Sequence, residues 1–255
     1  MSLFDLTGKV AVITGSSRGI GKAIAEAMAD AGAKVTISSR KPGPCQEVAD
    51  AINEKHGDGT AIAVPANISS KEDLQAMVDA TNKAFGKIDI CVCNAASNPY
   101  YGPMSGIEDD AFAKILQNNI ISNNWLIQMC APQMRERKDG AVIIVSSIGG
   151  LRGSTVIGAY NISKAADFQL ARNLAAEFGG DNVRVNCIAP GLIRTDFAKA
   201  LWENPDTLKR SLAGTPLKRI GEPEEIAGAA VYLASKAGAY MTGQMLVLDG
   251  GATST

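Results

Sequence analysis

Seven short β-branched runs recur along the chain with helix-length amphipathic stretches between them, and this alternation constrains the fold more than any other feature. The runs are KVAVIT (from Lys9), KVTIS (from Lys34), TAIAVPA (from Thr60), IDICVC (from Ile88), AVIIVSS (from Ala141), VRVNCIA (from Val183) and MLVLD (from Met245). Several are apolar almost throughout, as strands covered on both faces must be. The first intervening stretch, GKAIAEAMADAGA, sets Ile20, Ile24, Ala27 and Met28 on one stripe and stops at Gly32. Alternation with short links predicts an α/β doubly wound parallel sheet in a single domain, residues 1–255. One interval departs from the rhythm. Residues 193–224 are too long for a plain connection and carry Phe197, Trp202 and loop prolines, so a substrate-binding loop or lid is expected there.

Composition removes several function classes. Lys and Arg number 25 against 26 Asp and Glu, for a formal charge of -1 without any basic stripe. Neither nucleic acid nor an anionic membrane surface is therefore an expected partner. No apolar run approaches the roughly eighteen residues of a membrane span, and MSLFDLTGKV lacks the regions of a secretory signal. The five cysteines, Cys45, Cys91, Cys93, Cys130 and Cys187, form no disulfide-like framework, which suits a reducing, cytoplasmic setting. Cys91 and Cys93 share one face of a strand, but no second ligand pair accompanies them. The one histidine, His56, lies in a polar loop. Buried thiols are expected, and no metal.

TGSSRGIG, residues 14–21, joins the first strand to the first helix. Gly15, Gly19 and Gly21, with Ser17, Arg18 and Ile20 between them, let backbone N–H groups approach a pyrophosphate at a helix N-terminus. A glycine turn alone is common; after the first strand of an α/β series it signals dinucleotide binding. The second strand runs into Ser39, Arg40 and Lys41, and the next carboxylate is Glu47. A guanidinium at Arg40, with Arg18 as a second charge, suits a 2′-phosphate, so NADP(H) is expected over NAD(H).

In YNISKAADFQLARNLAAEF, Tyr160 and Lys164 stand at i and i+4 on one helix face. Such a pair arises by chance, so its context carries the argument. Ser147 ends the fifth strand, at the carboxyl edge where open α/β sheets bind ligands. TGSSRGIG, NAAS where N-A-G is usual, Ser147, Tyr160-xxx-Lys164, the PG of residues 190–191 and the closing DGG follow in order. With these motifs the chain resembles the short-chain dehydrogenase/reductase family over essentially its whole length.

The resemblance implies a Rossmann-type sheet of about seven parallel strands and a tetrad of Asn119, Ser147, Tyr160 and Lys164. Asn119 is taken over Asn118 because an aliphatic residue, Ile120, follows it. Tyr160 becomes the acid/base, with Lys164 and an oxidised nicotinamide expected to lower its pKa. Ser147 donates to the substrate oxygen, Lys164 also holds the nicotinamide ribose, and Asn119 keeps a water in the proton relay. Further cofactor contacts carry over to Asn94, Ala95 and Ala96, and to Pro190, Gly191, Ile193 and Thr195. Asn67 and Ile68 stand beside the adenine where the family often has Asp-Val.

Within the family, SSRK (38–41), NAASNPYYG (94–102), APGLIRTDF (189–197), ALWENPD and RIGEPEE resemble NADP-dependent carbonyl and retinol reductases of the dehydrogenase/reductase member four type. This implies interconversion of a ketone or aldehyde with its alcohol, tilted towards reduction. Substrate contacts are expected from Ser147, Asn98, Tyr100, Tyr101, Leu151, Ser154, Phe197, Leu201 and Trp202. A 3-oxoacyl-[acyl-carrier-protein] reductase would need a basic patch at the entrance, for which Arg135, Arg137 and Arg152 are scattered candidates. A sugar or polyol dehydrogenase would need a more polar pocket. A non-enzymatic NADP-binding protein should have lost part of the tetrad. The family also implies a homotetramer, joined through the helices of Asn119 and Tyr160 and through MLVLDGGATST. The closing ATST is not S-K-L-like, so a cytoplasmic, bacterial setting is expected.

Overall fold

Val10–Thr14 (β1) is buried along its whole length, and its side chains alternate between two cores. Ala11 and Ile13 face one and Val12 the other, the period-2 outcome for a strand covered on both sides. The computed structural model describes residues 2–254. The remaining strands are Lys34–Ser38 (β2), Ala61–Ala63 (β3), Ile90–Cys93 (β4), Gly140–Val145 (β5), Val183–Pro190 (β6) and Met245–Leu248 (β7). All pair in parallel in the order β3-β2-β1-β4-β5-β6-β7. The expected runs all form strands; most differ from the expected bounds by a residue or two at an end, and one is cut further. The strand expected over residues 60–66 is regular only over Ala61–Ala63 at the sheet edge; Val64 and Ala66 still donate to Ile37 O and Ser39 O, and Pro65 falls where its missing N–H would face away from β2.

The helices, in chain order, are α1 (Gly19–Asp30), α2 (Pro42–His56), α3 (Lys71–Phe85), α4 (Asp109–Leu116), α5 (Ser122–Arg137), α6 (Gly158–Phe178), α7 (Lys199–Trp202), α8 (Pro205–Ala213) and α9 (Pro223–Ala234). α1, α2 and α9 bury Ile24, Met28, Val48 and Ile226 against one face of the sheet. α3, α5 and α6 bury Leu74, Met77, Leu126, Phe168 and Phe178 against the other. Cys91 and Cys93 do share a face, meeting Cys130 and Cys187 in that second core, and all five cysteines are buried. Cys91 and Cys93 are pushed well above the usual thiol range, first by hydrogen bonding to Cys130 and Cys91 respectively and then by burial.

Two features bear on function. The chain leaves β1 for β2 on one side, while β4 pairs on the other; that reversal opens a crevice at the carboxyl ends of β1 and β4. The long interval after β6 is folded: it holds α7 and α8 and runs to α9, which starts at Pro223 behind a capping box of Glu222 and Glu225.

Candidate active site

The glycine turn fits a pyrophosphate. Gly15 and Gly19 have φ of +66° and +55°, in the left-handed region that side chains with a Cβ disfavour. Gly21 has no such strain; a Cβ there would overlap the Gly15 carbonyl and Asn94 Nδ2. Arg18 at the N-cap of α1 makes no side-chain cap bond, and no acidic residue occupies the first turn. The helix thus presents uncapped N–H groups and its positive dipole end to an anion. Asn94 braces the turn from β4: its Nδ2 donates to Thr14 O (2.9 Å) and Gly15 O (3.1 Å). Its own N–H and that of Ala95 donate to Thr14 Oγ1. Ser16, which no motif singles out, is fully buried and ties β1 to β2 through Ile13 O and the Ser38 N–H.

Arg40 follows β2, is exposed, and forms no ion pair among the described residues. Arg18 instead reaches Asp196 at 3.1 Å, an exposed link from the glycine turn to the start of the long loop. Ser39 Oγ lies 3.1 Å from Cys45 Sγ. Asn67 is exposed and spends its Oδ1 on the Ser69 N–H, while Ile68 packs partly on the second core.

At the other end of the crevice, Pro190 closes β6 and Gly191 donates its N–H to Leu248 O at 2.9 Å. Ile193 and Gly221 form an isolated bridge in which Arg194 N–H and Leu192 O face Gly221. The Ile193 N–H points the opposite way and has no partner among the described residues. Thr195 Cγ2 comes to 3.2 Å of where a Gly19 Cβ would lie, so the loop after β6 touches the glycine turn.

The four candidate catalytic residues converge from three elements. Ser147 follows β5 and accepts the Gly149 N–H at 3.0 Å. Tyr160 and Lys164 lie on α6, with Lys164 Nζ 5.7 Å from the Tyr160 ring centre. Asn119 is not in a regular α-helix as expected: it sits in a π turn, Gln117–Ile121, between α4 and α5, a distortion that gathers at functional sites. It is fully buried, gives Nδ2 to Ser97 O and Ser163 Oγ (both 3.0 Å), and accepts the Ser97 N–H at 2.8 Å. Asn118 meets Ser69 and Ser97 Oγ instead. Ser163 Oγ in turn donates to Tyr160 O, which joins the two helices behind the tyrosine.

The expected pull of Lys164 on the Tyr160 phenol is present, but in the chain by itself it does not decide the direction: the phenol is raised from its usual value. Burial is the larger cause; Lys164 and Ser147 oppose it, while Asp167 and Tyr101 add to it. The lysine charge is legible in the sequence, whereas the loss of water around the phenol is not. Lys164, 2% exposed, is raised too: burial disfavours its charge, but Asp167 and Tyr160 outweigh that.

Of the residues expected around a substrate, Phe197 lies with its ring centre 6.0 Å from that of Tyr160 and is half exposed. Tyr101 and Leu151 are exposed nearby in sequence, and Asn98 Oδ1 is buried without a partner. Three serve local structure. Tyr100 gives its hydroxyl to Pro103 O, Ser154 Oγ accepts two backbone N–H groups, and Trp202 Nε1 donates to Thr195 O at 2.9 Å. Leu201, beside Trp202 on α7, is half-buried.

Sequence reasoning missed Asp167, Asn123 and Ser163. Lys164 Nζ donates to Val145 O (3.0 Å) and to Asp167 Oδ2 (3.1 Å), and Asn123 Nδ2 donates to Asp167 Oδ1 and Asn119 O. Polar residues at i+3 and i+4 from catalytic candidates, on faces otherwise apolar, were the available signal.

The family described as Enoyl-(Acyl carrier protein) reductase matches residues 15–253. Dehydrogenase/reductase SDR family member 4 of Bos taurus is 40% identical over 250 residues, covering 98% of this chain and 88% of that protein. A solved 7α-hydroxysteroid dehydrogenase complexed with NADH and 7-oxo glycochenodeoxycholic acid superposes with a TM-score of 0.93 at 36% identity, over 97% of this chain and 95% of that one. The Pseudomonas aeruginosa RhlG/NADP active-site complex gives 0.91 at 34% identity, over 99% of each chain.

Proposed function

The chain belongs to the short-chain dehydrogenase/reductase family, an oxidoreductase family using nicotinamide cofactors, and from that premise we propose that it is an NADP(H)-dependent reductase of ketones or aldehydes with a hydrophobic part. The observation that carries the reading is the Tyr160 phenol, with Lys164 Nζ 5.7 Å and the Phe197 ring centre 6.0 Å from its ring centre; burial holds its pKa up. A phenol that keeps its proton through neutral pH is suited to giving that proton to a carbonyl oxygen. The cofactor, when bound, supplies the hydride. Tyr160 donates the proton, Ser147 polarises the carbonyl, and the buried Lys164 keeps positive charge beside the phenol as it ionises. The glycine turn and the α1 N-terminus hold the pyrophosphate, the backbone of Ile193 meets the carboxamide, and Arg40, free of carboxylate partners, takes the 2′-phosphate.

Residues 193–224 act as the lid, with Phe197 as its apolar contact to substrate. Arg135 and Arg137 are engaged with Glu177 and Asp181 and with Asp89, while Arg152 is exposed with no ion pair among the described residues, and one free arginine is less than the basic patch an acidic carrier protein would meet. That favours a free small carbonyl over an acyl thioester. Exposed Ile121 and Ile162, on the π turn and α6, support a homotetramer joined through these helices. Among the described residues no helix is long and apolar enough to cross a membrane, and a cytoplasmic enzyme is the reading that goes with the free thiols. NADPH oxidation against diketones, aromatic ketones, retinal-like aldehydes, sugars and 3-oxoacyl thioesters tests the proposal. The best kcat/KM is expected among apolar ketones and aldehydes; preference for sugars or thioesters would overturn it.

A further inference from the structure

Asp167 carries a carboxylate with no exposed surface, on the α6 face that looks into the sheet. A buried charge of this kind persists only with a partner and hydrogen bonds. Asp167 has both. Its Oδ2 takes the Lys164 ammonium at 3.1 Å and its Oδ1 takes Asn123 Nδ2 at 3.2 Å. Asn123 Nδ2 also donates to the carbonyl of Asn119, within the π turn, at 2.6 Å. One carboxylate thus joins three of the residues around the phenol. An ammonium has three donors. Val145 O and Asp167 fix two of them, which sets the direction of the third.

We propose that Asp167 is a positioning residue for carbonyl reduction: its buried carboxylate anchors Lys164 as an ammonium and, through Asn123, braces the Asn119 carbonyl. This rests on the reading of Tyr160 and Lys164 as the proton-transfer pair. The charged or titratable groups around it are Lys164 and Tyr160 on α6, Cys187 on β6 and Cys93 on β4, with Tyr101 facing Tyr160 and Arg172 acting on Cys187. Both thiols are held well above the usual thiol range, Cys93 first by hydrogen bonding to Cys91 and Cys187 first by burial. Lys164 therefore supplies the positive charge in direct contact with the carboxylate, and the carboxylate is what balances it.

The sign of its effect follows from charge alone. With Asp167 ionised, the set of Asp167, Lys164 and phenol is neutral in the form that reduces carbonyls, and losing a proton leaves a buried negative charge. With Asn at 167 the same form is positive, and losing a proton makes it neutral. Whichever of Lys164 and Tyr160 gives up that proton, it leaves more easily in the variant.

The test is the pH profile of kcat/KM for NADPH-dependent carbonyl reduction in Asp167→Asn, with circular dichroism and NADPH titration showing a folded, cofactor-binding protein. The alkaline limb is expected to move down by about one pH unit or more. A folded variant whose limb stays within about 0.2 units of the parent would overturn the proposal. Should Asp167→Asn fail to fold, thermal melts of Lys164→Met and of Lys164→Met combined with Asp167→Asn decide. Lys164→Met strands a buried carboxylate, so the double variant is expected to melt higher. A double variant that melts no higher, or does not fold, would refute the pairing. The melts need no turnover, so an enzyme lacking carbonyl reductase activity would sink the functional reading while the melts still decide the pairing of Asp167 with Lys164.

Discussion

Replacing Gly21 by Ala tests how tightly the glycine turn is built. Gly21 has no positive φ, so the substitution introduces little backbone strain. The added Cβ would overlap the Gly15 carbonyl and Asn94 Nδ2, inside the 3.0 Å that real Cβ atoms keep. The carbonyl must retreat by more than about half an ångström, or α1 must lift from the sheet. Either movement disturbs both bonds from Asn94 Nδ2, to Thr14 O at 2.9 Å and Gly15 O at 3.1 Å. Overpacking costs about 1–3 kcal/mol, and two weakened hydrogen bonds add about 1 kcal/mol. A total of about 2–4 kcal/mol corresponds to a drop in Tm of about 5–15 °C for a domain of this size. NADPH affinity should fall by about tenfold or more, since the displaced N–H groups are those proposed to meet the phosphates. Thermal melts and NADPH fluorescence titrations read both effects. Gly43→Ala on α2, where a Cβ meets nothing within 4 Å, is the control and should change neither. Gly21→Ala with Tm within about 2 °C and affinity within about twofold of the parent would refute the reasoning.

Arg40→Ala should lower kcat/KM with NADPH by about ten- to a hundredfold and leave NADH within about threefold, in initial-rate assays with one carbonyl substrate. An equal loss with both cofactors would remove Arg40 from the 2′-phosphate. The raised pKa of Tyr160 predicts that carbonyl reduction, which needs the phenol protonated, stays flat through neutral pH. It should decline only above the ordinary phenol range near 10, while alcohol oxidation rises over the same interval. A reduction limb falling between about pH 7 and 8 would show that Lys164 outweighs burial.

Much of the fold was legible because it is written in local pattern. β1, β4 and β5 are apolar at nearly every position and lie buried on both faces, so their runs stand out whatever surrounds them. The turn at Gly15, Gly19 and Gly21 was legible for a similar reason: close approach there excludes any Cβ, and glycine is the visible trace of that. What depends on side chains meeting across elements was not legible. The bridge from Asn123 on α5 to Asp167 on α6 joins residues 44 apart, and no periodicity reports it. Asn119 was chosen over Asn118 by the residue that follows it, but the π turn that holds it was not legible. The burial that opposes Lys164 at the Tyr160 phenol was not legible either, because a string of residues does not display it. Tyr100 and Trp202 were expected at the pocket from aromatic character; that their polar atoms also bond Pro103 O and Thr195 O is a contact the sequence does not display.

The central claim is that Tyr160 delivers the proton in NADPH-dependent carbonyl reduction. Tyr160→Phe removes one hydroxyl and leaves the ring beside Phe197 and Lys164. NADPH oxidation by the best apolar ketone or aldehyde, measured alongside an NADPH binding titration, isolates the chemical step. The account predicts kcat lowered by about 10²–10⁴-fold with cofactor affinity within about threefold of the parent. A variant that binds NADPH and turns over at near the parental rate would contradict it.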